Sequence, residues 1–376
     1  MPKAFRRERF FILADISTPL SLGVDVFLRR DSMSRNVGRT ARAMLCLVAL
    51  CLAKAGSAQP IRLMTGGAAK QIYLPVILAE QLGYFSREGL DVRVLSAPTG
   101  IDTSTELVAG AIQGAVGFYD HTIVLQSRGM DVQSVIVLGQ SAGLVELARR
   151  DSGIKTMADV RGRRLGVTGF GSSTFHLTRF LAMRAGVPAD AYSIVPLATG
   201  EAFEKAIADK SIDAGMIEEP TATRVLFANK AHALADLRTA TGSQAQLGGP
   251  YAGACLYMQR AWIDGHPAEI AHLVRAVLAA LRFIDTHSAQ EIAAVLPASI
   301  KGDDPAQYQN ALAMTKTTYS VTGRMPVDAP STVLAVIASV DADVSVRHID
   351  IARTYTNRFV TEALADASAG AGKPRR

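Results

Sequence analysis

The residues best suited to chemistry lie in one glycine and hydroxyl turn, residues 169–174. The sequence Gly-Phe-Gly-Ser-Ser-Thr follows a short apolar run that predicts a buried strand, and it precedes a helix whose N-cap is Ser172 or Ser173. A helix N-terminus carries unsatisfied N–H groups and roughly half a unit of positive charge. The turn can therefore hold an anion or a strongly polar group without a cationic side chain. It lacks the third glycine of a dinucleotide fingerprint and the lysine of a phosphate-binding loop, so neither motif is predicted. The turn suggests ligand capture, and an ordinary capped turn is the alternative.

A second candidate group, Tyr119, Asp120 and His121, follows the strand predicted at residues 114–118. Tyr119 offers a flat face and a hydroxyl, and we expect it to pack on a ligand, as we do Phe170. His121 could bond a ligand oxyanion or be an ordinary loop histidine, and both readings stay open. A catalytic base would need a nucleophile and an orienting partner, and no motif in the sequence supplies them.

A third candidate is the acidic pair Glu218 and Glu219, which follows the strand predicted at residues 212–217. Adjacent residues point in different directions, so a working pair of carboxylates is not expected. If Glu219 faces a ligand, it favours one with a hydrogen-bond donor, such as an amine. The other reading, a carboxylate that caps the helix predicted from Thr221, is equally open.

Alternating strands and helices position these residues. From Ile61 onward, short apolar strands alternate with helices, a pattern typical of parallel sheets covered on both faces. In such sheets ligands bind beyond the carboxyl ends of the strands. Helices predicted to begin near Thr103 and Ser173 would supply N–H groups, and no metal or cofactor is predicted. The expected ligand-binding residues are Gly66, Gly67, Thr99, Gly100, Tyr119, Asp120, His121, Gly171, Ser172, Ser173 and Glu219.

The distribution of charge excludes a nucleic-acid role. The formal net charge is +6, but residues 1–58 hold ten basic and four acidic residues and therefore carry all of it. The remaining residues hold thirty of each sign, so they offer no electrostatic attraction to phosphates.

Residues 1–58 are predicted to be a leader with a signal peptide. A basic stretch precedes eleven apolar residues, 43–53, which are followed by small residues. Eleven residues are too few to cross a bilayer core of about 30 Å as a helix. We expect cleavage near Ala58, export to the periplasm, and Met33 as the natural start. Cys255 is then the one cysteine left, so no intramolecular disulfide is expected.

Three segments carry a resemblance to a known family. Residues 73–94 (YLPVILAEQLGYFSREGLDVRV), 153–167 (GIKTMADVRGRRLGV) and 212–220 (IDAGMIEEP) occur in the same order as signatures of ABC-importer proteins. Together they resemble the solute-binding proteins of the nitrate, sulfonate and taurine class, which are related to the binders of pyrimidine precursors of thiamine. The likeness covers residues 61–290.

The resemblance implies an α/β fold of the two-lobed periplasmic binding type II, with a mostly parallel sheet flanked by helices in each lobe. One lobe would comprise residues 60–148 and 250–368, and the other residues 152–246. The chain would cross at two hinges, near 146–152 and 246–253, and residues 369–376 would be a disordered tail. The lobes would close on the ligand, and the closed monomer would dock on an ABC permease in the membrane.

The function expected from these observations is delivery of a small organic anion, sulfonate-like or a carboxylate, to an ABC importer by an exported protein that is not an enzyme. Three alternatives stay open. The cleft could bind a pyrimidine or another heteroaromatic compound on the same fold, the protein could be an exported enzyme, or it could present its ligand to a receptor as a sensor.

Overall fold

The computed structural model describes residues 59–371, with side chains up to residue 368. The predicted signal peptide, its cleavage near Ala58 and the start at Met33 lie outside the described residues.

Ten strands in this part of the chain form two five-stranded sheets. They are β1 (Ile61–Thr65), β2 (Val92–Ser96), β3 (Gly114–Phe118), β4 (Val132–Val137), β5 (Leu144–Arg149), β6 (Arg164–Val167), β7 (Ser193–Pro196), β8 (Ala214–Glu218), β9 (Ala231–Asp236) and β10 (Ala254–Gln259). The first sheet has the order β2-β1-β3-β10-β4 and the second β7-β6-β8-β5-β9. Each sheet belongs to one lobe, so the described residues have the predicted two-lobed α/β architecture.

Both sheets are mixed, because one strand in each runs against its neighbours. β10 lies antiparallel between β3 and β4, and β5 lies antiparallel between β8 and β9. The other pairings, β1 with β2 and β3, and β6 with β7 and β8, are parallel, as the alternation of strands and helices predicts.

The first crossing between the sheets comes earlier than predicted. The chain leaves the first sheet at Val137 and joins the second at Leu144, whereas residues 144–148 were assigned to the first lobe. The physical reason is that β5 is an interior strand, buried from residue 144 to residue 148 and hydrogen-bonded on both edges. The return passes between β9 and β10.

The helices cover both faces of the sheets. They are α1 (Leu74–Gln81), α2 (Tyr84–Arg87), α3 (Gly100–Val108), α4 (Asp120–Ser127), α5 (Ser173–Arg184), α6 (Gly200–Ala208), α7 (Thr221–Phe227), α8 (Ala240–Leu247), α9 (Arg260–Gly265), α10 (Pro267–Thr286), α11 (Ala289–Ala294), α12 (Ala298–Lys301), α13 (Pro305–Thr315), α14 (Ala329–Ala338), α15 (Ala342–Ser345) and α16 (Arg358–Ala371). Short 3-10 helices occupy Gln71–Tyr73, Met157–Val160, Lys316–Thr318 and Ile351–Arg353. Within this part of the chain no helix is both long enough and apolar enough to span a bilayer.

The starts of the helices near the cleft follow from local capping. Ser172 is the N-cap of α5, as predicted, and its hydroxyl accepts the N–H of Phe175 at 3.2 Å. The start predicted for α3 at Thr103 is wrong. A capping box between Thr99 and Asp102 begins that helix at Gly100, and Thr103 instead donates to a carbonyl inside the first turn.

The C-terminal region packs on the first lobe and also reaches the second. Helix α10 buries one face, including Leu273, Val277 and Leu281, against α1 and α16. Helix α14 packs against both α4 and α5, which belong to different lobes. Helix α16 runs to Ala371, into the segment expected to be a disordered tail, because its alanine-rich sequence continues the helix.

Candidate functional site

A cavity lies between the lobes, where the carboxyl ends of the strands face each other. The first lobe contributes Lys70, Ile72, Tyr73, Gly100, Phe118 and His121, and the second contributes Leu144, Thr168, Ser172, Ser173, Thr174 and Glu218. The space between these residues leaves about 20 Å³ for the centres of water-sized molecules, enough for roughly one or two waters. An organic ligand therefore needs the lobes to separate before it can enter.

Hydroxyl groups fix the N-terminus of α5 at the cavity. The Thr174 hydroxyl accepts the N–H of Thr168 at 2.9 Å and lies 2.8 Å from the Ser172 hydroxyl, which donates to the carbonyl of Gly169 at 2.7 Å. Gly171 has a φ of +76°, a conformation that glycine adopts without strain. The first N–H groups of a helix have no intrahelical acceptor, so this end of α5 offers donors and partial positive charge to the cavity.

Opposite charges face each other across the cavity. The Lys70 ammonium lies 3.3 Å from the Glu218 carboxylate, and the two side chains are only 12% and 3% exposed. Lys70 follows β1 in the first lobe, whereas Glu218 ends β8 in the second. Beside them, the Gln71 N–H donates to the Glu219 carbonyl at 3.0 Å. Both contacts join the two lobes.

The imidazole ring of His121 lies in the lining of the cavity. Its Nδ1 lies 3.2 Å from the Tyr257 hydroxyl, and its Nε2 has no hydrogen-bond partner among the described residues. Burial lowers the pKa of His121 and outweighs the opposing charge of Asp120, so the ring is neutral at neutral pH. A Cβ on Gly100 would lie 2.9 Å from Cε1 of this ring, so a glycine is needed there.

Four predicted site residues line the cavity, and a fifth supports it. The four are Gly100, His121, Ser172 and Ser173. Asp120 lies directly behind them, where its carboxylate accepts the Ser173 hydroxyl at 2.8 Å. Because Asp120 and Ser173 belong to different lobes, this hydrogen bond also crosses the interface.

The other predicted residues lie outside the cavity lining: Gly66, Gly67, Thr99, Tyr119, Gly171 and Glu219. Tyr119 was expected to pack on a ligand, but it is fully buried and its hydroxyl donates to Thr354 at 2.5 Å. Glu219 instead accepts the Thr223 N–H at 2.9 Å and the Arg238 guanidinium at 2.6 Å, so it caps α7.

Gly66 lies at a close backbone approach between two loops of the protein. A Cβ on Gly66 would lie 2.5 Å from the backbone nitrogen of Gly100, so this glycine lets the turn after β1 contact the start of α3. Phe170, expected to pack on the organic part of a ligand, is 61% exposed and contacts the ring of Phe175 edge-on.

Sequence reasoning missed several lining residues. Lys70 could have been found, because it is a cation in the loop that leaves a strand at its carboxyl end. Thr168 precedes the predicted turn and Thr174 is its last residue, and both carry the same hydroxyl chemistry as Ser172 and Ser173. Tyr257, which contacts His121, lies inside β10 and has no local signal, since a strand tyrosine is ordinarily core.

The remaining candidates for reactive chemistry are structural. Cys255 is fully buried in β10, as its apolar context predicts, and burial raises the pKa of its thiol to about 12. Over residues 59–371, no group of three or more His, Cys, Asp or Glu side chains is arranged to hold a metal ion. The cavity is therefore the place where binding chemistry concentrates.

Curated relatives of this chain carry the name of an enzyme. The chain is 29% identical over 115 residues to 4-amino-5-hydroxymethyl-2-methylpyrimidine phosphate synthase of Schizosaccharomyces pombe, which is 30% of the chain and 33% of that protein. It is 26% identical over 231 residues to the Uromyces fabae protein of the same name, 59% of the chain and 66% of that protein. The chain thus spans between about a third and two thirds of these relatives. The expectation that the protein is not an enzyme is contradicted by this comparison.

Solved structures share the fold. A protein from Bordetella bronchiseptica RB50 has a TM-score of 0.78 at 27% identity, covering 83% of this chain and 98% of its own. The alkanesulfonate-binding protein SsuA of Xanthomonas axonopodis pv. citri, bound to MOPS, scores 0.61 at 16% identity, covering 82% and 99%. The nitrate-binding protein NrtA of Synechocystis PCC 6803 scores 0.64 at 14% identity, covering 82% and 89%. These likenesses confirm the predicted periplasmic binding fold.

A family model described as NMT1/THI5 like matches residues 71–290, more than half of the chain. The match spans both sheets and includes every cavity-lining residue except Lys70. The resemblance drawn from the three sequence segments is confirmed at the level of the family, and this chain belongs to the NMT1/THI5-like family.

Proposed function

We propose that the cleft captures a small heteroaromatic compound, such as an aminopyrimidine, that carries a hydrogen-bond donor and an anionic or strongly polar substituent. One observation carries the proposal: the Glu218 carboxylate and the N-terminus of α5 face the same cavity from the second lobe. Beside its pairing with Lys70, the carboxylate can accept a further donor from the ligand, and the helix end favours negative charge. A ligand that carries both a hydrogen-bond donor and a negative charge would suit both the Glu218 carboxylate and the N-terminus of α5.

The same charges argue against a purely anionic ligand. Lys70 is the one lysine or arginine in the cavity lining, and the Glu218 carboxylate beside it offsets its charge. A sulfonate or nitrate would gain from the helix end but would be repelled by Glu218. The organic anion expected from the sequence is therefore the weaker of the two readings.

Apolar and aromatic side chains supply the remaining surface. Tyr73 and Phe118 from the first lobe, with Ile72 and Leu144, also line the cavity. Flat faces of this kind suit a ring compound, because stacking and edge contacts add to the burial of apolar area. A small inorganic ion would leave this surface unused.

The curated relatives support this ligand class. Their name describes a pyrimidine with an amino group, a hydroxymethyl group and a phosphate. The amino group matches the acceptor at Glu218, and the phosphate matches the donors at the start of α5. Export and delivery to an ABC permease are supported by the structural neighbours named as periplasmic or ABC-transport proteins, and both belong to the proposal.

A second candidate is chemical conversion of the ligand. The observation that favours it is the neutral His121 ring, whose Nε2 has no partner among the described residues while the ring lines the cavity. When the ring hydrogen lies on Nδ1, where it can be donated to the Tyr257 hydroxyl, Nε2 can accept a proton from a bound compound. The name of the curated relatives points the same way.

The first test is thermal unfolding of the full chain against a panel. The panel contains 4-amino-5-hydroxymethyl-2-methylpyrimidine and its phosphate, alkanesulfonates, carboxylates and nitrate, and each compound that raises Tm is recovered for mass spectrometry. A ligand at a hundredfold over its Kd adds about 2.7 kcal/mol, which Tm resolves. A rise in Tm with the aminopyrimidines supports capture of this ligand class. A chemically changed compound after incubation shows that the protein converts its ligand. Stabilisation by sulfonates or nitrate alone overturns the proposed ligand class.

The matched variant is Glu218→Gln, with Glu204→Gln as its control. A hydrogen bond to a charged group contributes about 1.5–3 kcal/mol, so Glu218→Gln should weaken aminopyrimidine binding about 10- to 100-fold. Glu204 pairs with Arg224 on the same lobe away from the cavity lining, so its substitution should leave Kd unchanged. Equal affinity of wild type and Glu218→Gln for the aminopyrimidine contradicts the assignment of Glu218.

A further inference from the structure

A second set of polar contacts joins the lobes behind the cavity. Helix α5 of the second lobe presents Ser173 and His176 to two carboxylates of the first-lobe side. Ser173 donates to Asp120 at 2.8 Å, and His176 Nε2 lies 3.4 Å from Asp341, which caps α15. His176 Nδ1 lies 3.9 Å from the other oxygen of Asp120. The imidazole is thus held between two acidic side chains that both come from across the interface.

These side chains are largely buried, but not all of their polar atoms have hydrogen-bond partners. His176 and Asp120 are 1% and 0% exposed, and Asp341 is 18% exposed. Neither Nδ1 of His176 nor the facing oxygen of Asp120 has a hydrogen-bond partner among the described residues. Buried polar atoms are ordinarily bonded, so a small shift that brings these two atoms together would strengthen the closed form. A doubly protonated ring can donate to both carboxylates at once, whereas a neutral ring can donate to only one.

The other charged groups on the elements around α5 are engaged elsewhere. Arg164 of β6 pairs with Asp213, Glu218 of β8 pairs with Lys70, and Asp159 caps its own 3-10 helix. Helix α14 contains no charged residue.

Two further groups complete the surroundings. Glu146 of β5 accepts the hydroxyl of Thr178, two residues after His176 on α5, at 2.6 Å. His121 lies on the far side of Asp120, at 3.9 Å. The carboxylates that face His176 are therefore Asp120 and Asp341.

We propose that His176 is an interlobe latch, which holds the cleft closed when its protonated ring bridges Asp120 and Asp341. The latch extends the proposed ligand capture, because it sets how often the empty cleft is closed. It acts through Asp120, which also supports the lining residues Ser173 and His121, so His176 and Asp341 are positioning residues. Asp341 lies outside the segment matched by the family model.

The direction of the pH dependence follows from the charges. Burial lowers the pKa of His176, but Asp120 and Asp341 outweigh it and raise the pKa above its ordinary value. His176 in turn lowers the pKa of Asp341 to about 2. The closed form therefore binds the proton more tightly than the open form. The latch is complete below the ordinary histidine pKa of about 6.5 and is lost as pH rises through the raised value.

The test measures closure without any ligand. Spin labels are placed at Ala109→Cys and Ala208→Cys in the full chain, with Cys46 and Cys51 replaced by serine and the buried Cys255 retained. Both positions are at the C-terminal ends of helices, α3 and α6, that begin at the carboxyl edges of their sheets, so their separation reports the opening of the lobes. The distance distribution is recorded from pH 5.5 to pH 8.5. The ratio of closed to open protein should fall about tenfold for each unit by which closure raises the pKa.

Three variants make the test specific. His176→Gln should show no pH dependence in this range and should match wild type at high pH. Asp341→Asn should move the midpoint to lower pH, and it remains informative if His176→Gln does not fold. The control is His272→Gln, since His272 pairs with Glu88 within the first lobe and its replacement should leave closure unchanged. A flat wild-type profile, or an unchanged profile in His176→Gln, overturns the latch. Because no ligand is used, failure of the ligand panel would leave this result intact.

Discussion

Glu146 should make the protein less stable as pH rises, and Glu146→Gln should remove the effect. This side chain lies on the interior strand β5 and is fully buried. One carboxyl oxygen accepts the Thr178 hydroxyl, and the other has no partner among the described residues. Burial raises the pKa of Glu146 from its ordinary value of 4.5 to about 8, against the opposing effect of the Thr178 hydrogen bond. The folded protein thus keeps a proton that the unfolded chain has lost.

The magnitude follows from this shift. Each pKa unit corresponds to about 1.36 kcal/mol, so a change from 4.5 to 8 sets an upper bound of about 5 kcal/mol on the free energy of unfolding lost between those pH values. The contribution is fully present below pH 4.5 and is lost as pH rises through 8. Glutamine keeps the acceptor for Thr178 and cannot ionise, so the variant should gain several kcal/mol over wild type at pH 8 and almost nothing near pH 4.5.

The assay is urea unfolding of wild type and Glu146→Gln across this range, with the free energy of unfolding extrapolated to water at each pH. Glu106→Gln, a substitution of a partly exposed glutamate on α3, serves as the control for the loss of one negative charge. A constant difference between wild type and Glu146→Gln from pH 5 to pH 8 would refute the reasoning, because it would mean that Glu146 is ionised in the folded protein.

Two further substitutions test the placement of predicted site residues. Gly100→Ala puts a Cβ about 3 Å from the His121 ring, so it should lower the free energy of unfolding by about 1–3 kcal/mol and weaken ligand binding. Gly265→Ala is the control, because a Cβ there meets no neighbour, and it should change neither property. The measurements are Tm and Kd. Tyr119→Phe removes the hydroxyl that donates to Thr354, so it should lower the free energy of unfolding by about 1 kcal/mol and leave Kd unchanged. A loss of affinity without a loss of stability would instead mean that Tyr119 contacts the ligand.

The parts of the fold that sequence could predict are those encoded locally. The apolar runs that became β1 and β6 and the Ser172 cap each depend on residues a few positions apart. The antiparallel strand β10 could not be placed in this way, because its position between β3 and β4 depends on pairing over more than a hundred residues. The assignment of residues 144–148 to the first lobe differs from the structure for the same reason, since β5 pairs with β8 and β9.

The same distinction separates the site residues that the sequence could predict from those that it could not. The strand-end rule correctly brought His121, Ser172 and Ser173 to one cavity, because it depends only on the direction of the strands. It could not decide the direction of a side chain at the end of a strand. Tyr119 turned inward because Thr354, 235 residues away, offers its hydroxyl an acceptor. Glu219 turned to Arg238 and the start of α7, which left Glu218 at the cavity.

Each lobe contributes six residues to the lining of the cavity, around a space of about 20 Å³. This division limits the rate at which a ligand can dissociate. A ring compound is larger than this space, so the lobes must part for it to enter, and once captured between them it cannot leave while they remain together. Its dissociation rate then has a ceiling, the rate at which the lobes part, however weak its individual contacts are. Tight and loose ligands should differ mainly in how often a parted complex closes again before the compound diffuses away.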